Sequence, residues 1–279
     1  MAEVTKTAVL LTVFNRREMT LVSLRTLYAA IDRLGPGYAF DVYLVDDGST
    51  DGTSESVGSE FPAVRLFKGD GGLYWGHGML MAWEKAVESG VGYDYFLWYN
   101  DDSELYPDAL QTLFKSMNDN GGRCVVTGAF CDHQGCCSYG GGDENNKGLA
   151  PDGSYQKVVT MNGNLVLIPY QVYKAVGMID RGYRHAFGDH DYGYRVQKQG
   201  FSVLLTPRYV GVVDNHTETP YSGIASFKKR WKNLHSPKNS PRYGFRYLRT
   251  YKGWNSALRY WISSYLYTFF PSIAPKQNQ

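Results

Sequence analysis

Three places in the chain set paired acids behind a short apolar run: Asp46 and Asp47, Asp101 and Asp102, and, past a further loop, Asp189 and Asp191. In open parallel sheets ligands collect at the carboxyl ends of strands, so acids there are positioned for chemistry. An aspartate behind a second strand can accept the N3–H of uracil or thymine, a donor that cytosine lacks; the alternative is that Asp46 and Asp47 only cap a helix over residues 49–57. Asp101 and Asp102 offer the oxygen ligands that Mg²⁺ or Mn²⁺ takes when it bridges protein to a diphosphate, and they equally suit a capping turn before a helix opened by Pro107. Asp189 would cap the helix that follows it, whose N-terminus favours the ionised form of a carboxylate. Asp191 reads as the partner of Arg195 one turn on.

Elements to hold these acids are legible in the periodicity. Apolar runs at 8–14, 40–45, 64–67, 93–99 and 123–130 read as strands, with helices predicted over 19–34, from 49 to 57, from the glycine-rich stretch 69–78 to Gly90, and after Pro107. Strands alternating with helices predict an α/β fold with a mostly parallel central sheet. Residues 131–157 lack periodicity and read as an excursion from the sheet. Beyond them, 165–168 and 201–205 read as strands, 169–176 and 189–199 as helices. Trp75 and its neighbouring glycines fit a loop that lets backbone approach a ligand closely, the alternative being a turn with Trp75 in the core. His77 is expected to hydrogen-bond to backbone.

Forty-two aromatics in 279 residues exclude a disordered chain, and no run of eighteen apolar residues exists to cross a bilayer. Asn15-Arg16-Arg17-Glu18 follows the first apolar run where a signal peptide would need small residues, so a cytoplasmic protein is expected. The net charge of +2 hides a division: residues 219–279 carry eleven basic residues, fourteen aromatics and no acid, while residues 1–218 carry every acid. A domain boundary is therefore expected near 218, with amphipathic helices over 243–270 that lie flat on an anionic membrane surface or pack on the preceding domain or a second subunit. Nucleic-acid binding is not expected, since no recognition motif accompanies the basic residues. Cys124, Cys131, Cys136 and Cys137 match no CxxC pair and read as reduced thiols; a zinc knot with His133 is the alternative.

Four stretches occur in a telling order: Thr12-Val13-Phe14-Asn15-Arg16, then Val45-Asp46-Asp47-Gly48-Ser49-Thr50-Asp51-Gly52-Thr53, then Asn100-Asp101-Asp102, then Gly188-Asp189-His190-Asp191-Tyr192-Gly193-Tyr194-Arg195. Over residues 7–216 the chain resembles the inverting nucleotide-sugar glycosyltransferases of family 2, and residues 72–79 resemble the aromatic-glycine loop of bacterial members that build cell-surface polysaccharides. The resemblance implies a GT-A fold over 1–218, with a nucleotide-binding half at 7–130 and an acceptor half at 131–218, followed by a helical extension. It implies a UDP- or dTDP-sugar donor held by Thr12, Phe14, Asn15, Arg16, Asp46 and Asp47, with Gly72, Trp75 and Asp101 near the ribose or sugar. It implies a divalent cation, Mn²⁺ or Mg²⁺, on Asp102 and His216, and a base at Asp189 with Asp191 as alternate. The chain departs from the family pattern at Asn100, where an aspartate is usual, and at Gly188, where a glutamate is.

The implied reaction is a single in-line displacement onto a hydroxyl of a glycan or lipid-linked acceptor, with inversion, at the inner face of a membrane and as a monomer or homo-oligomer. A sugar nucleotidyltransferase would need a basic glycine-rich loop after the first strand, and Val13-Phe14-Asn15-Arg16 is not one. A catalytically dead carbohydrate-binding relative would be expected to have lost the acids. The donor sugar is not legible: galactose, galactofuranose, N-acetylglucosamine and rhamnose all stay open.

Overall fold

The computed structural model describes residues 4–214 and 226–274. The chain runs β1 (Thr5–Val13), α1 (Arg17–Leu34), β2 (Tyr38–Asp46), α2 (Thr53–Glu60), β3 (Arg65–Lys68), α3 (Tyr74–Glu88), β4 (Tyr95–Tyr99), β5 (Glu104–Leu105), α4 (Ala109–Asp119) and β6 (Cys124–Cys131). It continues through β7 (Cys137–Tyr139), β8 (Gly141–Gly142), β9 (Thr160–Met161), β10 (Leu165–Pro169), α5 (Tyr170–Val176), α6 (Gly188–Lys198) and β11 (Ser202–Val212). Three helices follow: α7 (Phe227–Leu234), α8 (Pro241–Tyr251) and α9 (Trp254–Phe269).

The first strand is apolar at every turn of the pleat because both its faces are covered. Val9, Leu11 and Val13 join one core with Leu21, Leu24 and Leu27 of α1, while Ala8 and Leu10 join a second with Met79, Ala82 and Trp83 of α3. Helices thus flank a central sheet ordered β3-β2-β1-β4-β10-β6-β11-β5. The pairs β2–β3, β1–β2, β1–β4 and β6–β11 are parallel, and β10 is antiparallel to both β4 and β6. From β1 the chain winds outward through β2 and β3, then returns to place β4 on the other side. The strand order therefore reverses between β1 and β4, which opens a crevice outside their carboxyl ends.

Three expectations are corrected. The helix expected from Ser49 begins at Thr53 instead, because residues 48–52 form a loop tied down by side chains and α2 starts from Gly52 with no side-chain cap. The excursion at 131–157 is not wholly outside the sheet, since β7 pairs with the end of β6 and β8 pairs with β9 in a small second sheet. The last strand, expected at 201–205, runs on to Val212 as β11; it absorbs Pro207 through register shifts between Leu205 and Gly211. All four cysteines are free thiols, and His133 Nδ1 sits 2.8 Å from Asp214 Oδ1. No helix among the described residues is long and apolar enough to cross a membrane.

Candidate active site

A hollow of 760 Å³ lies at the β1/β4 crevice. Thr12, Phe14 and Arg16 reach it from the end of β1, Asn100, Asp101 and Asp102 from the end of β4. Because β10 runs antiparallel with Leu165 opposite Tyr99, the residues just ahead of it, Asn162, Gly163 and Asn164, arrive at the same place. The Asn100 N–H donates to the Asn164 carbonyl at 3.0 Å and fixes that register. Tyr74 and Trp75 enter from the start of α3, and His185, Phe187, Asp189 and His190 from the turn into α6. Tyr74 and Phe187 hold φ values of 56 and 69, a left-handed backbone that costs non-glycine residues about 1 kcal/mol or more and persists only where surroundings impose it.

The acid pair is half neutralised. Arg16 Nη1 donates to Asp101 Oδ1 at 3.1 Å and to Asp102 Oδ2 at 3.0 Å. The remaining oxygens, Asp101 Oδ2 and Asp102 Oδ1, are buried and have no hydrogen-bond partner among the described residues. Burial pushes the Asp101 carboxyl up to about 7, against the pull of Arg16, with the Asp102 charge adding to the rise. Buried carboxylate oxygens without donors fit a hard cation, which takes oxygen ligands and would supply the missing positive charge. No group of three or more His, Cys, Asp or Glu suited to an ion occurs among the described residues. His216, expected as a second ligand, lies outside the described residues.

Asp47 performs a structural task at the hollow's edge. Its Oδ1 accepts the N–H groups of Gly71 (3.0 Å) and Leu73 (3.1 Å), and its Oδ2 accepts that of Tyr74 (2.8 Å). One carboxylate thereby gathers the glycine-rich loop and sets the first turn of α3. With roughly four acceptor positions on a carboxylate, one is left on Oδ2. Trp75 is fixed in turn by its indole N–H, which donates to Asn100 Oδ1 at 2.8 Å. Its ring lies so close over Gly163 that any β-carbon there would collide with it. Thr12 is crowded likewise: only glycine fits at position 78 beside its side chain.

Asp189, in the first turn of α6, faces the hollow, its Oδ2 accepting the Gly163 N–H at 3.2 Å and its Oδ1 that of His190 at 2.8 Å. Asp191, two residues on, points elsewhere: buried, it pairs with Arg195 Nε at 2.8 Å and accepts the Tyr251 hydroxyl at 2.8 Å. The alternative base is therefore a packing residue that ties α6 to α8. Three further expected donor contacts do not line the hollow. Asp46 is occupied by Ser49 N–H and the Ser54 hydroxyl, Asn15 by Ser49 and Thr50, and the Gly72 N–H by Asp70. These are the joints of the loops that carry Asp47 and Arg16. His77 meets the backbone, 2.9 Å from the Arg181 carbonyl.

The hollow also contains residues that strand-end reasoning overlooked. His185 is held well below the ordinary histidine range, at about 4, by burial first and by the cations Lys238 and Arg16 next, with Asp189 opposing. Its Nδ1 and that of His190 have no partner among the described residues. Lys238 and Asn239, from the link between α7 and α8, complete the wall. The position of His185 and His190 close to Asp189 in sequence was the available signal; nothing in sequence linked Lys238 to them.

Comparison with known proteins fits this geometry. The sequence profile described as Glycosyl transferase family 2 matches residues 8–149, just over half of the chain. No curated protein matches. Among solved structures, GalNAc-T7 with UDP, GalNAc and Mn²⁺ aligns over 98% of this chain with a TM-score of 0.57 at 13% identity. The alignment takes in only 58% of that chain. The Pyrobaculum calidifontis mannosyltransferase PcManGT with GDP-Man and Mn²⁺ aligns over 96% of this chain and 88% of its own, with a TM-score of 0.56 at 14% identity. S. aureus TarS (residues 1–349) with UDP-GlcNAc aligns over 93% and 81%, TM-score 0.57, 14% identity. At such identities the likeness is one of fold: a GT-A sheet flanked by helices.

Proposed function

Since the chain belongs to glycosyl transferase family 2 and is an enzyme that transfers sugar from a nucleotide-sugar, we propose that it moves the sugar of a UDP- or dTDP-sugar to a hydroxyl of a glycan or lipid-linked acceptor, with inversion. The observation that carries this reading is the convergence of Asp47, Asp102 and Asp189 from three distant segments on one hollow. In it, the spare acceptor position of Asp47 takes the N3–H of the pyrimidine, with Thr12 and Phe14 against the base. Arg16 and Asp101 lie beneath the sugar and diphosphate. A divalent cation, such as the Mn²⁺ in the GalNAc-T7 and PcManGT structures, would be held by Asp102 and the diphosphate and supply charge neutralisation for the leaving group.

Asp189 accepts the proton of the acceptor hydroxyl as its oxygen attacks the anomeric carbon, and the bond to the nucleoside diphosphate breaks on the opposite face. Two backbone N–H groups aim the carboxylate. One displacement needs no protein nucleophile. The testing experiment is a panel of nucleotide sugars in which free nucleoside diphosphate is measured. UDP or dTDP release that depends on Asp102 and Asp189 supports the reading; pyrophosphate release instead, or turnover only of purine donors, refutes it.

A further inference from the structure

We propose that the outer face of α9, together with the aromatic side of α7, docks flat on an anionic lipid bilayer. The helix is inverted relative to a water-facing one: its buried positions are the small residues Ala257, Ser264 and Thr268, while Trp254, Leu258, Ile262 and Leu266 recur every four residues with 43–60% of each exposed. Phe269, half exposed, prolongs the stripe and touches Phe227 and Trp231 of α7 at ring separations of 5.2 and 6.0 Å. The patch is therefore continuous across two helices.

Charge selects the occupant. Lys228, Lys229 and Lys232 are exposed around Trp231, and Arg259 is exposed on α9 beside the stripe. No acid occurs anywhere in residues 219–279. A second copy of the chain meeting this face by a two-fold axis would set lysine against lysine with nothing to neutralise them, whereas anionic headgroups provide the counter-charge. At sixteen residues, α9 is about 24 Å long and suits the interface rather than a span. The basic, aromatic helix α8 meets this surface at its Trp254 end, where Phe245 and Arg249 lie against that ring, while its Tyr247 and Tyr251 stack on Phe187 and Tyr194 of the catalytic domain. The link from α7 to α8 carries Lys238 and Asn239 into the wall of the hollow, so the docked face adjoins the place where a lipid-linked saccharide would enter. Only this last step rests on the transferase reading.

The test is co-sedimentation of the full chain with vesicles of phosphatidylcholine containing phosphatidylglycerol, against pure phosphatidylcholine, with no donor or acceptor present. The chain is expected to pellet with the anionic vesicles and to be released by salt. Leu258→Glu with Ile262→Glu is expected to weaken partition by roughly tenfold or more, leaving nucleoside diphosphate release to a water-soluble acceptor unchanged. Failure to bind anionic vesicles, equal binding to neutral ones, or undiminished binding of the double variant each overturns the proposal. So does a dimer in sedimentation equilibrium that the double variant dissolves, which would assign the stripe to a second copy. Because binding is read without turnover, an inactive protein that still pellets would sink the transferase reading alone.

Discussion

The indole N–H of Trp75 donates to Asn100 Oδ1, so the glycine-rich loop is fastened to the residue directly ahead of the acid pair. The asparagine that departs from the usual aspartate thus clamps the loop. Trp75→Phe keeps the ring but removes the donor. It is expected to leave the fold intact and weaken donor affinity about five- to tenfold, the worth of one hydrogen bond, as measured by calorimetric titration with the nucleoside diphosphate and Mn²⁺. Unchanged affinity would mean that loop and acid pair are not coupled.

Asp102→Asn is expected to lower nucleoside diphosphate release by about a hundredfold or more. The free protein is expected to melt no earlier, because the substitution removes a like charge beside Asp101. Thermal unfolding and a cation titration, made side by side, check both halves. A strongly lowered melting temperature with activity retained would make the pair structural.

Asp189 and Asp191 separate cleanly. Asp189→Asn should cost about 10²- to 10⁴-fold in kcat with the melting temperature and donor affinity kept. Asp191→Ala strands Arg195 and the Tyr251 hydroxyl, and is expected to lose about 3 kcal/mol of stability by chemical denaturation. Full activity in Asp189→Asn would remove it as the base.

Two histidines should titrate in opposite directions. His185 is neutral down to about 4, so between the ordinary histidine value and about 4 the unfolded chain takes up a proton that the folded one refuses, and stability falls with falling pH over that window. His133 is raised by its hydrogen bond to Asp214 and charges first. NMR titration of the two rings is the check, with Lys238→Ala expected to bring His185 upward. A His185 titrating at its ordinary value would mean that the ring is not buried in the wall of the hollow.

Much of the site was legible because strand ends and their acids are local features: Asp47, Asp101 and Asp102 each stand two or three residues past the end of an apolar run. What a run of residues cannot report is where a carboxylate's lone pairs go. Asp46 and Asp47 are neighbours of one type, yet one is consumed by Ser49 and Ser54 and the other gathers three N–H groups of the loop 24 to 27 residues further on. Asn162, Gly163 and Asn164 sit in the hollow because β10 is antiparallel, a fact of sheet order that no periodicity encodes. The basic, aromatic composition after 218 was visible, but its division was not. Arg246 is turned inward to Asp180 and Tyr251 to Asp191, while the aliphatic residues of α9 face out.

That inward turn changes the meaning of the chain's final quarter. Arg246 grips Asp180 at 2.7 Å and Tyr251 grips Asp191 at 2.8 Å, one on either side of the turn that presents Asp189. A truncation ahead of Pro241 would therefore be an amputation rather than a trimming. The remaining domain would keep its sheet and its nucleotide acids, yet the segment bearing the proton acceptor would have lost its buttress.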